Sequence, residues 1–222
     1  LKAFGAEVVM TPTKVPPDSP DNYIQKAKTI AAGIPGSFRV AQFENRANPE
    51  AHYRSTGAEI WRDVEGRIDV LVGGIGTGGT LSGAGRYLKE RNPQLLVIGA
   101  DPPGSILSGD QPGSFKVEGI GEDYFPDTYD RNIVDRFYRI TDKESFQTAR
   151  RLAREEGILA GGSSGTALAA ALKFAAETPE AKEIVVVLPD TGRNYLSKMY
   201  NDRWMAEFGF LDQPEGVADH EL

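Results

Sequence analysis

The sequence predicts an α/β fold, a parallel twisted sheet flanked by helices, and three observations carry that reading. Apolar runs alternate with stretches of helical periodicity along the whole chain. Two of the runs, Leu95-Leu96-Val97-Ile98 and Ile184-Val185-Val186-Val187-Leu188, are almost unbroken in apolar character, as strands buried on both faces are. The run Ile68-Asp69-Val70-Leu71-Val72 passes directly into Gly73-Gly74-Ile75-Gly76-Thr77-Gly78-Gly79-Thr80, and then into a helix start from Leu81.

Taken in order, strands are expected at 7–10, 38–41, 68–72, 95–100, 133–140 and 183–188. Helices are expected at 21–32, 49–62, 80–91, 142–155 and 164–177. The stretch 102–122 is rich in Gly, Pro and Ser, and so long a loop is usually functional or mobile. Residues 212–222 are acidic and unpatterned, and read as a tail or linker.

Bulk properties narrow the function. The 222 residues suffice for one large or two modest domains, and a net charge of −7 argues against a nucleic-acid partner. No apolar stretch approaches the roughly 20 residues that span a membrane. There is no cysteine, hence no disulfide and no cysteine nucleophile in these residues. His52 and His220 fit no metal-ligand spacing, so no metal is expected, and His52 is expected to cap or pack on the helix around Pro49–Thr56. The default location is the cytoplasm. The chain opens on Leu1, not Met, which fits a removed or missing N-terminus.

The glycine turn admits two chemistries. Its glycines and the following helix N-terminus form a phosphate cradle, to which Thr77 and Thr80 add hydroxyl donors. Gly74-Ile75-Gly76-Thr77-Gly78-Gly79 also matches G-x-G-x-x-G, and Asp101 closes the next apolar run, as a dinucleotide site would require. A bare strand-to-helix turn is the third reading. A second cluster, Gly161-Gly162-Ser163-Ser164-Gly165-Thr166, precedes an alanine-rich helix. Its serines are either an N-cap or a hydroxyl for the ring nitrogen of a monophosphate cofactor. Gln42-Phe43-Glu44-Asn45 follows a strand and offers either a polar connection or an amide for a substrate carboxylate. Leu188-Pro189-Asp190-Thr191-Gly192 ends the last buried strand. Ligands gather at that edge of open α/β sheets.

With these four clusters in order, the chain resembles the β-replacing pyridoxal-phosphate enzymes of the cystathionine β-synthase and cysteine synthase family, from Leu1 to about Leu211. The resemblance implies the fold-type II, tryptophan synthase β-like architecture. Residues 1–41 would then be the C-terminal remnant of a small domain, and 42–211 the large phosphate-binding domain. Gly76, Thr77, Gly78, Gly79 and Thr80 resemble the family's phosphate loop. Ser163 resembles the serine at the pyridine nitrogen, and Gln42 the glutamine that contacts the amino-acid substrate. Gly119, within Val117-Glu118-Gly119-Ile120-Gly121, resembles part of a mobile substrate loop. Asn48-Pro49-Glu50-Ala51-His52-Tyr53 and the stretch Arg193–Met205 look more like cystathionine β-synthase than cysteine synthase. Glu122 departs from the tyrosine of the eukaryotic cystathionine synthases.

The resemblance implies pyridoxal phosphate as cofactor, small amino-acid substrates, a homodimer, and β-replacement on serine by homocysteine to give cystathionine. Cysteine synthase, acting on O-acetylserine and sulfide, is the alternative within the family. A dinucleotide-dependent oxidoreductase domain and a noncatalytic binding domain are the alternatives outside it. The family's Schiff-base lysine motif and its substrate-carboxylate loop have no counterpart here. Lys2, Lys14, Lys26, Lys28, Lys89, Lys116, Lys143, Lys173, Lys182 and Lys198 all stand in other contexts. No catalytic residue is therefore expected in this chain, which reads as an N-terminally truncated, inactive fragment.

Overall fold

The computed structural model describes residues 1–12, 15–16, 18–181 and 183–211. The tail expected at 212–222, together with Lys14, Lys182 and His220, lies outside these residues. The chain divides into two compact units, Leu1–Ala41 and Gln42–Leu222.

In the first unit, helix α1 spans Tyr23–Ala32 and starts at Asn22, whose side chain accepts the Ile24 N–H. The strands expected at 7–10 and 38–41 do not form. Strands need a ladder partner, and none pairs with either run among the described residues. Their apolar side chains stay open instead, with Met10 85% and Phe38 81% exposed.

The second unit is built on four parallel strands: β1 (Val70–Gly74), β2 (Leu96–Asp101), β3 (Arg136–Arg139) and β4 (Ile184–Val186). Their order is β3-β2-β1-β4. The expected α/β class with a parallel sheet flanked by helices is what the structure shows. Helices α2 (Ala47–Arg54), α3 (Thr56–Asp63), α4 (Gly79–Lys89), α5 (Asp142–Glu156), α6 (Gly162–Glu177) and α7 (Asp202–Glu207) complete the unit.

Alternation along the strands fills both faces of the sheet. Val70 and Val72 join Ile98 and Ala100 under the alanines and Phe174 of α6. Leu71 and Val97 face the other way, against Leu81, Ala84 and Leu88 of α4, with Trp61 of α3 packed beside them. A third cluster gathers Phe146, Met199 and Met205, with Trp204 and Phe210 against it.

The helix expected at 49–62 is two helices, interrupted at Ser55, whose hydroxyl donates to the Ala51 carbonyl. The strand expected at 133–140 is shorter. Ile133 belongs to a turn, and Asp135 spends its carboxylate on the Val97 N–H and Lys89.

Helix α4 follows β1 directly and so starts at the C-terminal edge of the sheet; the turn before α6 is bonded to residues 190–192, beyond the C-terminal end of β4, which puts its start at the same edge. An antiparallel bridge between Ala160 and Thr191 ties the turn before α6 to the segment after β4, which neighbours β1.

Candidate cofactor and substrate site

Two helix N-termini at one sheet edge form the frame of the site. Helix α4 starts from Gly78, in the left-handed region at φ 77, with no side-chain cap, and α6 starts from Gly161 likewise uncapped. Uncapped helix starts leave amide donors and positive potential available to an anion.

The glycine loop is held from outside by side chains of α2. Asn48 Nδ2 donates both to the Gln42 carbonyl at 2.8 Å and to Thr77 Oγ1 at 2.9 Å. His52 lies one turn further along: Nε2 meets Thr80 Oγ1 at 3.2 Å, and Nδ1 meets Thr56 Oγ1 at 2.9 Å. Burial holds the His52 imidazole below the usual histidine value, which favours the neutral ring. Thr128 closes the loop from the other side, donating to the Thr77 carbonyl at 2.7 Å.

Gln42, Thr77 and Thr80 thus belong to one hydrogen-bonded assembly with Asn48, His52 and Thr128. From sequence alone none of the last three is marked as a loop support, and His52 is expected only to cap or pack on its own helix. The 48/52 spacing held a usable signal, because positions four apart share one helix face.

Gly119 comes to the same place. A methyl on Gly76 would stand 2.5 Å from the Gly119 carbonyl oxygen, and the Gly121 N–H donates to the Ile75 carbonyl at 2.8 Å. The loop expected at 102–122 is therefore folded down onto the glycine turn. Its neck is Ser105, whose hydroxyl accepts the Glu122 N–H at 3.1 Å. Glu122 is pushed up to about 7 by burial, with the charges of Asp123 and Asp101 adding to the effect.

Asp101, the acid a dinucleotide reading requires, is fully enclosed; its Oδ2 accepts the Ser108 N–H at 3.1 Å. Burial raises its carboxyl. An enclosed carboxyl does not present itself to a ribose.

Ser163 stands in the first turn of α6, buried at 5% exposure. Gly162 and Ser163 are placed by the stitching of the preceding turn to residues 190–192. Nearby, Asp190 Oδ1 is buried without a hydrogen-bond partner. Open amides at one end and a buried hydroxyl at the other suit an elongated ligand carrying an anionic head and a polar ring.

The frame is that of a parallel α/β protein with two uncapped helix starts at the carboxyl edge of its sheet. Residues 1–190 match the family model described as pyridoxal-phosphate dependent enzyme, and the chain belongs to that family. It is 48% identical to a cystathionine beta-synthase of Apis mellifera, over 100% of this chain and 44% of the relative. A cysteine synthase of Helicobacter pylori is 42% identical over 89% of this chain and 64% of the relative. Among solved structures, an O-acetylserine dependent cystathionine beta-synthase from Helicobacter pylori superposes with a TM-score of 0.82 at 42% identity, covering 89% of this chain and 63% of that one. The chain spans less than half the length of the Apis mellifera relative it matches. No described helix is long and apolar enough to cross a membrane, and no metal-binding group of His, Cys, Asp and Glu occurs among the described residues.

Proposed function

We propose that this chain forms the phosphate- and ring-binding part of a pyridoxal-phosphate enzyme that replaces the β-substituent of serine with homocysteine, giving cystathionine. The observation that carries the reading is the assembly of Gln42, Asn48, Thr77, Thr80 and Gly119 around an uncapped helix start. Bound pyridoxal phosphate supplies an electron sink for the pair left at Cα when the α-proton departs.

The chain's own residues supply the rest. Amides of the Gly76–Thr80 loop and the Thr77 and Thr80 hydroxyls hold the phosphate, while Asn48 and neutral His52 keep those hydroxyls in place. Ser163 presents a neutral hydroxyl to the pyridine nitrogen, where a carboxylate would favour protonation. A ring left unprotonated by that hydroxyl would supply weaker electron withdrawal, enough for a β-elimination. Gln42 serves the amino-acid carboxylate. Gly119, in the loop that descends on the glycine turn, closes over the substrate and excludes water. Residues 1–41 belong to a smaller domain in this reading, and the working form is a cytoplasmic homodimer.

A second reading within the family has O-acetylserine as donor, with homocysteine or sulfide as acceptor; the likeness to the Helicobacter pylori proteins supports it. Turnover of the full-length protein separates the two. Serine plus homocysteine is expected to give cystathionine faster than O-acetylserine plus sulfide gives cysteine. The reverse order would replace the first reading with the second.

A further inference from the structure

The turn that carries Ser163 is built over a carboxylate. The Asp190 carbonyl accepts the Gly161 N–H at 3.2 Å, and the Gly192 N–H donates to the Leu159 carbonyl at 3.0 Å. The Tyr200 hydroxyl donates to the Ala160 carbonyl at 2.7 Å. The Asp190 side chain is itself fixed, because its Oδ2 accepts the Tyr195 hydroxyl at 2.7 Å. Burial, reinforced by that bond and the Asp190 charge, holds the Tyr195 phenol above its ordinary value, so it stays protonated and donating.

The other carboxylate oxygen has no such use. Oδ1 is buried with no hydrogen-bond partner, and it presses on the backbone of the turn: a methyl on Gly161 would stand 2.0 Å from Oδ1 and 2.7 Å from Cγ. Only a residue without a side chain closes over it. A buried acceptor left without a donor is costly and calls for a specific reason.

We propose that Asp190 is a positioning residue for Ser163: clamped by Tyr195, its carboxylate braces the Gly161–Gly162–Ser163 turn so that the serine hydroxyl meets the ring end of the cofactor in one orientation. This rests on the proposed function above, in which Ser163 serves the ring nitrogen. Asp190 acts through the turn and does not itself touch substrate. An asparagine at 190 keeps the shape, loses the charge and weakens the bond to Tyr195. A phenylalanine at 195 frees Oδ2 and leaves the carboxylate loose.

The test is a double-mutant cycle in the full-length protein with Asp190→Asn, Ser163→Ala and the pair, alongside Tyr195→Phe. Affinity for added pyridoxal phosphate is read from tryptophan fluorescence, and the absorbance maximum of the bound cofactor is followed against pH. Asp190→Asn and Ser163→Ala are each expected to weaken cofactor binding about tenfold, the scale of one charge-assisted hydrogen bond. Residues working as a unit are not additive, so the pair should lose no more than about twofold beyond Ser163→Ala alone. Tyr195→Phe should act in the same direction, and all three should displace the same pH dependence of the absorbance.

An Asp190→Asn effect that persists in full on the Ser163→Ala background overturns the proposal and leaves the ring-end role of Ser163 standing. A silent Asp190→Asn overturns it as well. A silent Ser163→Ala overturns the ring-end role and the proposal with it. If Asp190→Asn does not fold, Tyr195→Phe takes its place in the cycle under the same rule.

Discussion

Gly78 and Gly79 open α4 for two different reasons. Gly78 has φ +77, and a methyl there would sit 2.4 Å from Tyr129 Cβ; at Gly79 a methyl would sit 1.9 Å from Asn48 Oδ1. Strain and overpacking together should make Gly78→Ala cost about 2–4 kcal/mol in denaturant unfolding. Gly79→Ala should instead displace the Asn48 amide that bridges Gln42 and Thr77, so its loss should appear mainly in cofactor affinity. Equal affinity in Gly79→Ala and the parent would contradict the bridging role.

Glu122 gives the fold a pH-dependent stability. Its folded value, about 7, lies above the unfolded value near 4.5. Below pH 4.5 both states are protonated and the group's contribution to stability is fully present; it is lost as pH rises through 7. Every tenfold difference in proton affinity between the folded and unfolded chain is worth about 1.4 kcal/mol, trimmed by solvent screening because the side chain is only partly buried. Glu122→Gln should match the parent at pH 4 and be more stable by about 1–2 kcal/mol at pH 8. Identical unfolding curves at both pH values would contradict the burial argument.

Among the elements, the close approach of α5 and α6 hinges on Gly165. A methyl there would stand 2.0 Å from the Ser145 carbonyl oxygen and 2.9 Å from Ala149 Cβ. Glycine to alanine within an exposed helix stabilises by about 1 kcal/mol. Here the sign should reverse, with Gly165→Ala destabilising by about 2 kcal/mol or more through overpacking. Helix α5 carries a capping box, in which the Thr141 hydroxyl accepts the Glu144 N–H and Glu144 accepts the Thr141 N–H. Thr141→Ala should cost about 1 kcal/mol in thermal unfolding, with cofactor affinity unchanged because the box lies at the surface. The elements legible in the sequence were those whose own pattern settles them. Ile184–Val186 and Leu96–Asp101 are apolar enough to be strands anywhere in a core, and 142–156 has a cap and a period. The runs at 7–10 and 38–41 each hold three apolar residues beside one charge, yet a strand is a property of a pair, and one sequence run does not reveal its partner. The break at Ser55 was equally hidden, since helical periodicity continues across it. Helix α7 is six residues long, too short for periodicity to register.

For the molecule as a whole, topology does the joining that sequence leaves open. Residue 42, the 77–80 turn and residue 119 are far apart along the chain; parallel β1 and β2 place the turn and the segment carrying residue 119 at one edge, and Asn48 and Thr128 hold the residue 42 carbonyl beside them. The glycine and serine turns were readable because phosphate and ring chemistry need those residue types next to a helix start. Asn48, His52, Thr128 and Asp190 were not read as supports because each works on another loop, and that adjacency exists only after folding. In the proposed function the Gly76–Thr80 loop takes the phosphate of pyridoxal phosphate while the ring lies toward Ser163. A crystal structure of the full-length protein with bound cofactor is the decisive test. Phosphate oxygens are expected within hydrogen-bond distance of the 76–80 amides, and the pyridine nitrogen within reach of Ser163 Oγ. A phosphate bound elsewhere, or a ring nitrogen paired with a carboxylate in place of Ser163, would contradict it.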